Sequence, residues 1–241
     1  MQTLRDDGRV IDVRRAGDRF TTRTDWLASR HSFSFGPHYD PGNVGFAVLR
    51  AHNDDLVAPG SGYDTHPHTD TEIVTWVLEG SLVHQDSRGQ TGVLRPGLVQ
   101  RMTAGTGVLH SERNDAPGAD VPTRFVQMWL RPDRSGLEPA YEQREAGSGP
   151  GLVPLVSGIG TLDAAVRIHA SGAALHVARL GPGEAVVAPD AARLHVFVAR
   201  GTVEVEGAGR LAEGDAARFT HEGGPRITGA THAEVLVWQL P

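Results

Sequence analysis

The 241-residue chain contains no cysteine. That excludes disulfides, thiolate metal sites and a cysteine nucleophile, and fits a reducing compartment. A metal held by this chain must therefore sit on nitrogen and oxygen ligands. Basic charge is also sparse, with 23 Lys+Arg against 29 Asp+Glu for a net charge of −6. No cluster of basic residues is long enough to neutralise a row of phosphates, so nucleic acid is not an expected partner. No apolar run approaches the ~18 residues of a membrane span. The first residues, MQTLRDDGRV, carry mixed charge where a signal peptide needs a basic start and an unbroken apolar segment. The chain reads as soluble and cytoplasmic, without a membrane partner.

Helical periodicity is lacking as well. The best candidate is a short turn, TLDAAV at 161–166, which Thr161 would cap. What is abundant is turn chemistry: thirty glycines and fifteen prolines punctuate short runs rich in Val, Leu, Ile and aromatics. This is an all-β signature. Expected strands are FAVLRAH (46–52), EIVTWVLEG (72–80), SLVHQD (81–86), RFVQMWL (124–130), ALHVARL (174–180), RLHVFVARG (193–201), TVEVEG (202–207) and AEVLVWQL (233–240). Their spacing fits a sandwich or barrel. The length allows one large β domain or two of roughly 100–150 residues.

An internal repeat favours two. IVTWVLEGSLVHQDSRGQTGVLRPGLVQRM (73–102) lies over LHVFVARGTVEVEGAGRLAEGDAARF (194–219), with Gly80 answering Gly201 and Gly97 answering Gly214. Each half closes on a similar strand, with Trp129 matched by Trp238. Duplication of a small barrel explains this better than two unrelated meanders. The expected boundaries are an N-terminal barrel over 1–135, a polar Gly- and Pro-rich linker over 136–152, and a C-terminal barrel over 153–241.

The candidate site lies in the first half. In HPH, His66 and His68 are two apart and so share one face of an extended strand. Pro67 removes a backbone donor and holds His66 away from helical angles, which keeps the pair extended. Glu72 has the same parity if the strand stays regular, while Thr71 and Thr75 point the other way. A second same-face pair, His110 and Glu112, follows a glycine-rich approach. From neighbouring strands the two pairs supply three imidazoles and one carboxylate to a divalent cation, with room for water or substrate. His31, His38, His52 and His84 fall outside this pattern, and His195, on an apolar strand, reads as a core histidine. Aligning the repeat on its glycines places Val187 and Pro189 at the His66 and His68 positions, and Ile227 and Gly229 at those of His110 and Glu112. The second half carries none of the ligands.

HSFSFG (31–36), YD (39–40), THPHTDTEIVTWVLEGSLVHQDS (65–87) and GVLRPGLVQRMTAGTGVLHSE (92–112) together resemble the pirin family of the cupin superfamily, bicupins that include bacterial quercetin 2,3-dioxygenases. The likeness is close over the first half and holds in outline over the second. It implies two cupin (double-stranded β-helix, jelly-roll) barrels in tandem, with the metal in the N-terminal one and a C-terminal barrel that has lost its site. In cupins generally the carboxylate ligand would be Glu72; in pirin-like proteins it is Glu112, which leaves Glu72 near the site. The implied ligand set is His66, His68, His110 and Glu112. Thr69 and Arg101 stand where many relatives carry Arg and Trp, changes expected at the pocket mouth.

Three imidazoles and a carboxylate on an octahedral ion leave two positions open. The set suits Fe(II), with Ni, Co, Mn, Cu or Zn also compatible. The resemblance implies a dioxygenase that takes a small aromatic or enolisable substrate and O2, cleaving a flavonol such as quercetin. Glu112 would accept the hydroxyl proton, with Glu72 in reserve. The rival reading is a non-enzymatic, iron-dependent regulator that binds a protein partner. A cupin isomerase or lyase is a third, since fold and metal do not determine the reaction.

Overall fold

The computed structural model describes residues 2–4, 10–116, 118, 120–221 and 223–241. Among them the only helical element is a single 3-10 turn, Ala16–Asp18. The expected TLDAAV turn is irregular chain that enters a two-residue strand, Val166–Arg167. Among the described residues no helix is long and apolar enough to cross a membrane. The expected strands form within a few residues of their sequence positions, with one displacement: the strand expected at 46–52 runs Leu49–Val57. Ala47 adopts a left-handed φ of 53° inside a tight Phe46–Leu49 bridge, so the chain turns there before it extends.

The chain folds as two compact units. The first comprises 20–146 and 165–171. Its larger antiparallel sheet runs in the order Ala140–Glu145, Leu98–Thr103, Glu72–Glu79, Thr123–Leu130, Leu49–Val57, Leu27–His31 and Phe20–Arg23. Its smaller sheet runs Ser61–His68, Val108–Asn114, Leu82–Asp86 and Thr91–Leu94. The sheets close on each other through Leu27, Val57, Val77 and Phe125 from one and Leu82 and Leu94 from the other. A second cluster of Ile73, Met102, Ala104 and Val108, with Trp129 against it, fills the other end.

The second unit comprises 1–19, 147–164 and 172–241. Its larger sheet carries Gln2–Leu4, Val10–Arg14, Ala216–Thr220, Arg193–Arg200, Ala233–Leu240, Ala174–Leu180 and Leu152–Ser157 in that order. Its smaller sheet runs Ala185–Val187, Arg226–Gly229, Thr202–Val205 and Gly209–Ala212. From Val10–Arg14 to Leu152–Ser157 this repeats the order from Ala140–Glu145 to Leu27–His31, and the smaller sheet repeats the first unit's smaller sheet. The matched turns at Gly80 and Gly201 have φ of 74° and 75°, and a Cβ at Gly201 would come within 2.1 Å of the His232 carbonyl oxygen. Glycine is required there by both conformation and space.

Two segments differ from the expected boundaries. The presumed linker over 136–152 contains Ala140–Glu145, which pairs along the whole of Leu98–Thr103. The matching edge of the second unit is covered by Val10–Arg14, from the opposite end of the chain, paired with Ala216–Thr220. The physical reason is the same in both: an uncovered sheet edge leaves a row of backbone N–H and C=O groups unpaired. A polar strand such as AYEQRE satisfies that edge without an apolar signature.

Candidate metal centre

The strand Ser61–His68 carries the HPH segment and pairs with Val108–Asn114, so that His66 stands directly opposite His110. Alternation along the first strand puts His66 and His68 on one face, and the register brings His110 onto the same side. The ring centroids are 4.8 Å apart for His66 and His68, 4.5 Å for His66 and His110, and 4.9 Å for His68 and His110. One ring nitrogen from each lies within 4.8 Å of the others. His66 and His68 are half-buried and His110 is buried, so the cluster opens on the HPH side.

Glu112 joins this cluster through His110. His84, His110 and Glu112 form a second group whose ligand atoms lie within 4.8 Å of one another, all three residues buried. His84, which falls outside the sequence pattern, is thus buried beside His110 and Glu112. A signal was present: in Leu82–Asp86 the buried positions are Leu82 and His84, so alternation alone aims His84 inward with the core leucine. Glu112 is oriented from the larger sheet. Trp129 Nε1 donates to Gln127 Oε1 at 3.0 Å, which fixes the amide so that Gln127 Nε2 donates to Glu112 Oε2 at 2.7 Å. The Trp129 ring also stands edge-on to His68 at 4.8 Å and to Phe35 at 5.2 Å. Phe35 belongs to HSFSFG, so this motif forms part of the site's aromatic wall.

The donor atoms fit a cation. His66 Nδ1 donates to the Asp64 carbonyl at 2.7 Å, which leaves its Nε2 bare. His68 Nε2, His110 Nε2 and Glu112 Oε1 are buried without a hydrogen-bond partner among the described residues. Buried polar atoms are nearly always satisfied, so three orphaned acceptors in one cluster mark a place for a positive ligand. Two of the imidazoles, His68 and His110, are also kept neutral, as metal ligands must be. Burial first, and then the neighbouring rings, push His68 down to about 4 and His110 down to about 3. Behind Glu112 lies a buried acid: Asp55 accepts hydrogen bonds from Ser29 and, at 2.9 Å, from Tyr63. Burial raises Asp55 to about 7 against those two hydrogen bonds, with the charges of Asp54 and Glu112 adding to the rise.

Glu72 belongs to neither ligand group. Its fully buried carboxylate accepts from Thr103 Oγ1 at 3.1 and 3.0 Å and pairs with His169 Nδ1 at 2.9 Å. The turn after HPH, where Asp70 takes a left-handed φ of 45°, separates two strands of different sheets and breaks the parity carried from His68 to Glu72. Thr75, expected on the other face, is instead the residue that approaches Gln127, at 3.5 Å. Arg101 is not at the pocket mouth: it is buried, donating to the Arg167 carbonyl at 2.9 Å, to Thr103 at 3.1 Å and to Glu142 at 3.2 Å. His31 lies in a polar layer, Nε2 to Thr22 at 2.9 Å and Nδ1 to Asn53 at 3.0 Å, with His38 also on Thr22 at 3.1 Å. His52 and His195 are buried.

Residues 13–130 match the sequence model of the pirin family, and residues 155–240 match that of a quercetinase C-terminal cupin domain. A Mycobacterium tuberculosis protein provisionally named a quercetin 2,3-dioxygenase is 53% identical over 234 residues, covering 96% of this chain and 95% of its own. Quercetin 2,3-dioxygenase of Escherichia coli is 36% identical over 96% of this chain and 99% of its own. The crystal structure of the bacterial pirin YhhW from Escherichia coli in complex with nickel(II) superposes with a TM-score of 0.86 at 36% identity, covering 96% of this chain and 99% of that one.

Proposed function

The chain belongs to the pirin family, with a bicupin architecture, and on that premise we propose that it is a metal-dependent dioxygenase of the quercetin 2,3-dioxygenase type. His66, His68, His110 and Glu112 hold one divalent transition metal, Fe(II) being the ion the donor set suits best. When bound, the metal supplies a Lewis acid and an electron path between a flavonol and O2. The chain's own residues do the rest. Glu112 Oε1, the carboxylate oxygen without a partner among the described residues, would take the proton of the flavonol 3-hydroxyl once it is released from the metal, while the Gln127 amide keeps Oε2 engaged. Trp129 and Phe35 offer aromatic surface beside His68 for a flat substrate arriving from the half-buried HPH side. Glu72 has no part in the proton transfer, because Thr103 and His169 occupy its carboxylate.

The observation that carries this reading is the trio of buried acceptors, His68 Nε2, His110 Nε2 and Glu112 Oε1, with no partner among the described residues. The test is anaerobic purification with metal analysis, then Fe(II) loading and quercetin turnover followed by loss of its visible absorbance and by oxygen uptake. One metal per chain and one O2 consumed per quercetin are expected, with both metal and turnover lost in His66→Ala. A fully iron-loaded protein that leaves every flavonol and the dissolved oxygen untouched overturns it.

A further inference from the structure

The strand Leu82–Asp86 places two buried polar side chains behind His110 that the proposed reaction does not use. We propose that Asp86 and His84 form a positioning arm that decides which nitrogen of His110 faces the metal; the proposal rests on the reading of His110 as a ligand.

The arm can be followed atom by atom. Asp86 Oδ1 accepts the backbone N–H groups of Arg88 at 2.9 Å and Gln90 at 3.0 Å, which pins the carboxylate in its turn. Its other oxygen, Oδ2, stands 3.3 Å from His84 Nε2, with the two side chains 2% and 0% exposed. A carboxylate only accepts, so the His84 proton sits on Nε2 and neutral His84 presents a bare Nδ1. That nitrogen is 3.5 Å from His110 Nδ1. Two facing ring nitrogens share one proton, which then belongs to His110 Nδ1. His110 Nε2 is left bare, and this is the buried atom without a protein partner. The His84 ring cannot turn away, because Tyr141 stacks on it at 4.5 Å and 24°, with its own hydroxyl held by Gln143 at 2.7 Å. The second unit supplies an internal control. Aligned on Gly80 and Gly201, His84 and Asp86 correspond to Val205 and Gly207, so the barrel without ligands also lacks the arm.

Asp86→Asn tests this with the turn preserved. Asn keeps Oδ1 on the amides of Arg88 and Gln90 and turns an N–H toward His84 Nε2. The His84 proton moves to Nδ1, and the His110 proton is driven to Nε2, the nitrogen the metal needs. Nitrogen-15 NMR of the metal-free proteins is expected to show His110 protonated at Nδ1 in the wild type and at Nε2 in Asp86→Asn. Nickel affinity, measured by chelator competition, is expected to fall about 10- to 100-fold in Asp86→Asn. His84→Phe, which leaves Asp86 and its turn intact, should fall less, since His110 is then free to adopt either tautomer. A wild-type His110 protonated at Nε2, or an Asp86→Asn protein with unchanged tautomer and unchanged nickel affinity, overturns the proposal. A wild type that binds neither nickel nor iron overturns the metal reading instead, and the metal-free spectra still decide whether the arm orders the two histidines.

Discussion

The two barrels of this chain share a topology and differ in what fills them. In the first, Tyr63, His84 and Glu112 meet across three strands of the smaller sheet, Glu112 being opposite both Tyr63 and His84. In the second, Ile227 is opposite both Val186 and Val205. Counting from Gly97 and Gly214 had placed Ile227 on His110. The ladder places it on Glu112, a two-residue correction that leaves the second unit without ligands either way. Val186, Val205 and Ile227 belong to one continuous apolar core with Val203 and Leu211. The lesson is that the barrel does not need the polar cluster to fold: the same strands close around aliphatic side chains. The histidines and glutamate of the first unit are therefore a cost to folding, as expected of residues kept for function.

The largest effect is expected from erasing that difference. His84→Val and Glu112→Ile, with Asp86→Gly and Gln127→Leu so that neither of their partners is left buried and unpaired, copy the second interior into the first. Metal binding and turnover should disappear, while the metal-free protein unfolds at or above the wild-type temperature, because buried polar groups have been replaced by packed aliphatics. A marked fall in the metal-free melting temperature would show that the cluster is structural.

The reverse substitution should be smaller but still severe. Ile227→Glu places a carboxylate among Val186, Val203 and Val205 with none of the imidazoles or the glutamine amide that Glu112 has, at a cost of about 3–5 kcal/mol. Denaturant unfolding measures it, and tolerance of the glutamate would mean that the second interior is more hydrated than its packing implies.

A third expectation concerns acid. The unfolded chain binds protons on His68 and His110 below about 6.5, whereas the folded, metal-free chain binds them only near 4 and near 3. The unfolded state thus holds more protons throughout that interval, so stability falls as the pH drops from about 6.5, by at most about 1.4 kcal/mol per pH unit for each proton. The slope should be shallower in His110→Val, which lacks one of these groups. Equal slopes in thermal unfolding between pH 6.5 and 5 would deny His110 this role. Asp55, raised to about 7, acts in the opposite sense, contributing stability at low pH that is lost as the pH rises through 7, and it is common to both proteins compared.

Much of the fold was legible because the strands that build the cores are short, apolar and bounded by glycine, and because duplication prints the same turn twice. The edge strands were not. Ala140–Glu145 has half-exposed and exposed positions throughout, and its role is backbone pairing, which leaves no trace in hydrophobicity. The ligand candidates His66, His68, His110 and Glu112 could be grouped by strand parity. Parity does not carry on to Glu72, because it holds only within one strand and a left-handed residue at Asp70 ends that strand. The HxH and HxE spacing does not point to His84, whose inward direction shows only in its alternation with Leu82.

Sequence alone therefore determined the all-β class, the duplication, the absence of ligands from the second half and the pairing of HPH with HSE. These follow from alternation and spacing, which are local. Only the tertiary structure decided that Glu72 clasps Thr103 and His169, that Ala140–Glu145 covers a sheet edge of the first unit and Val10–Arg14 one of the second, and that His84 and Gln127 come against His110 and Glu112. Those outcomes depend on which strands become neighbours and in what register, and hydrogen-bond direction between buried side chains exists only once that register is set.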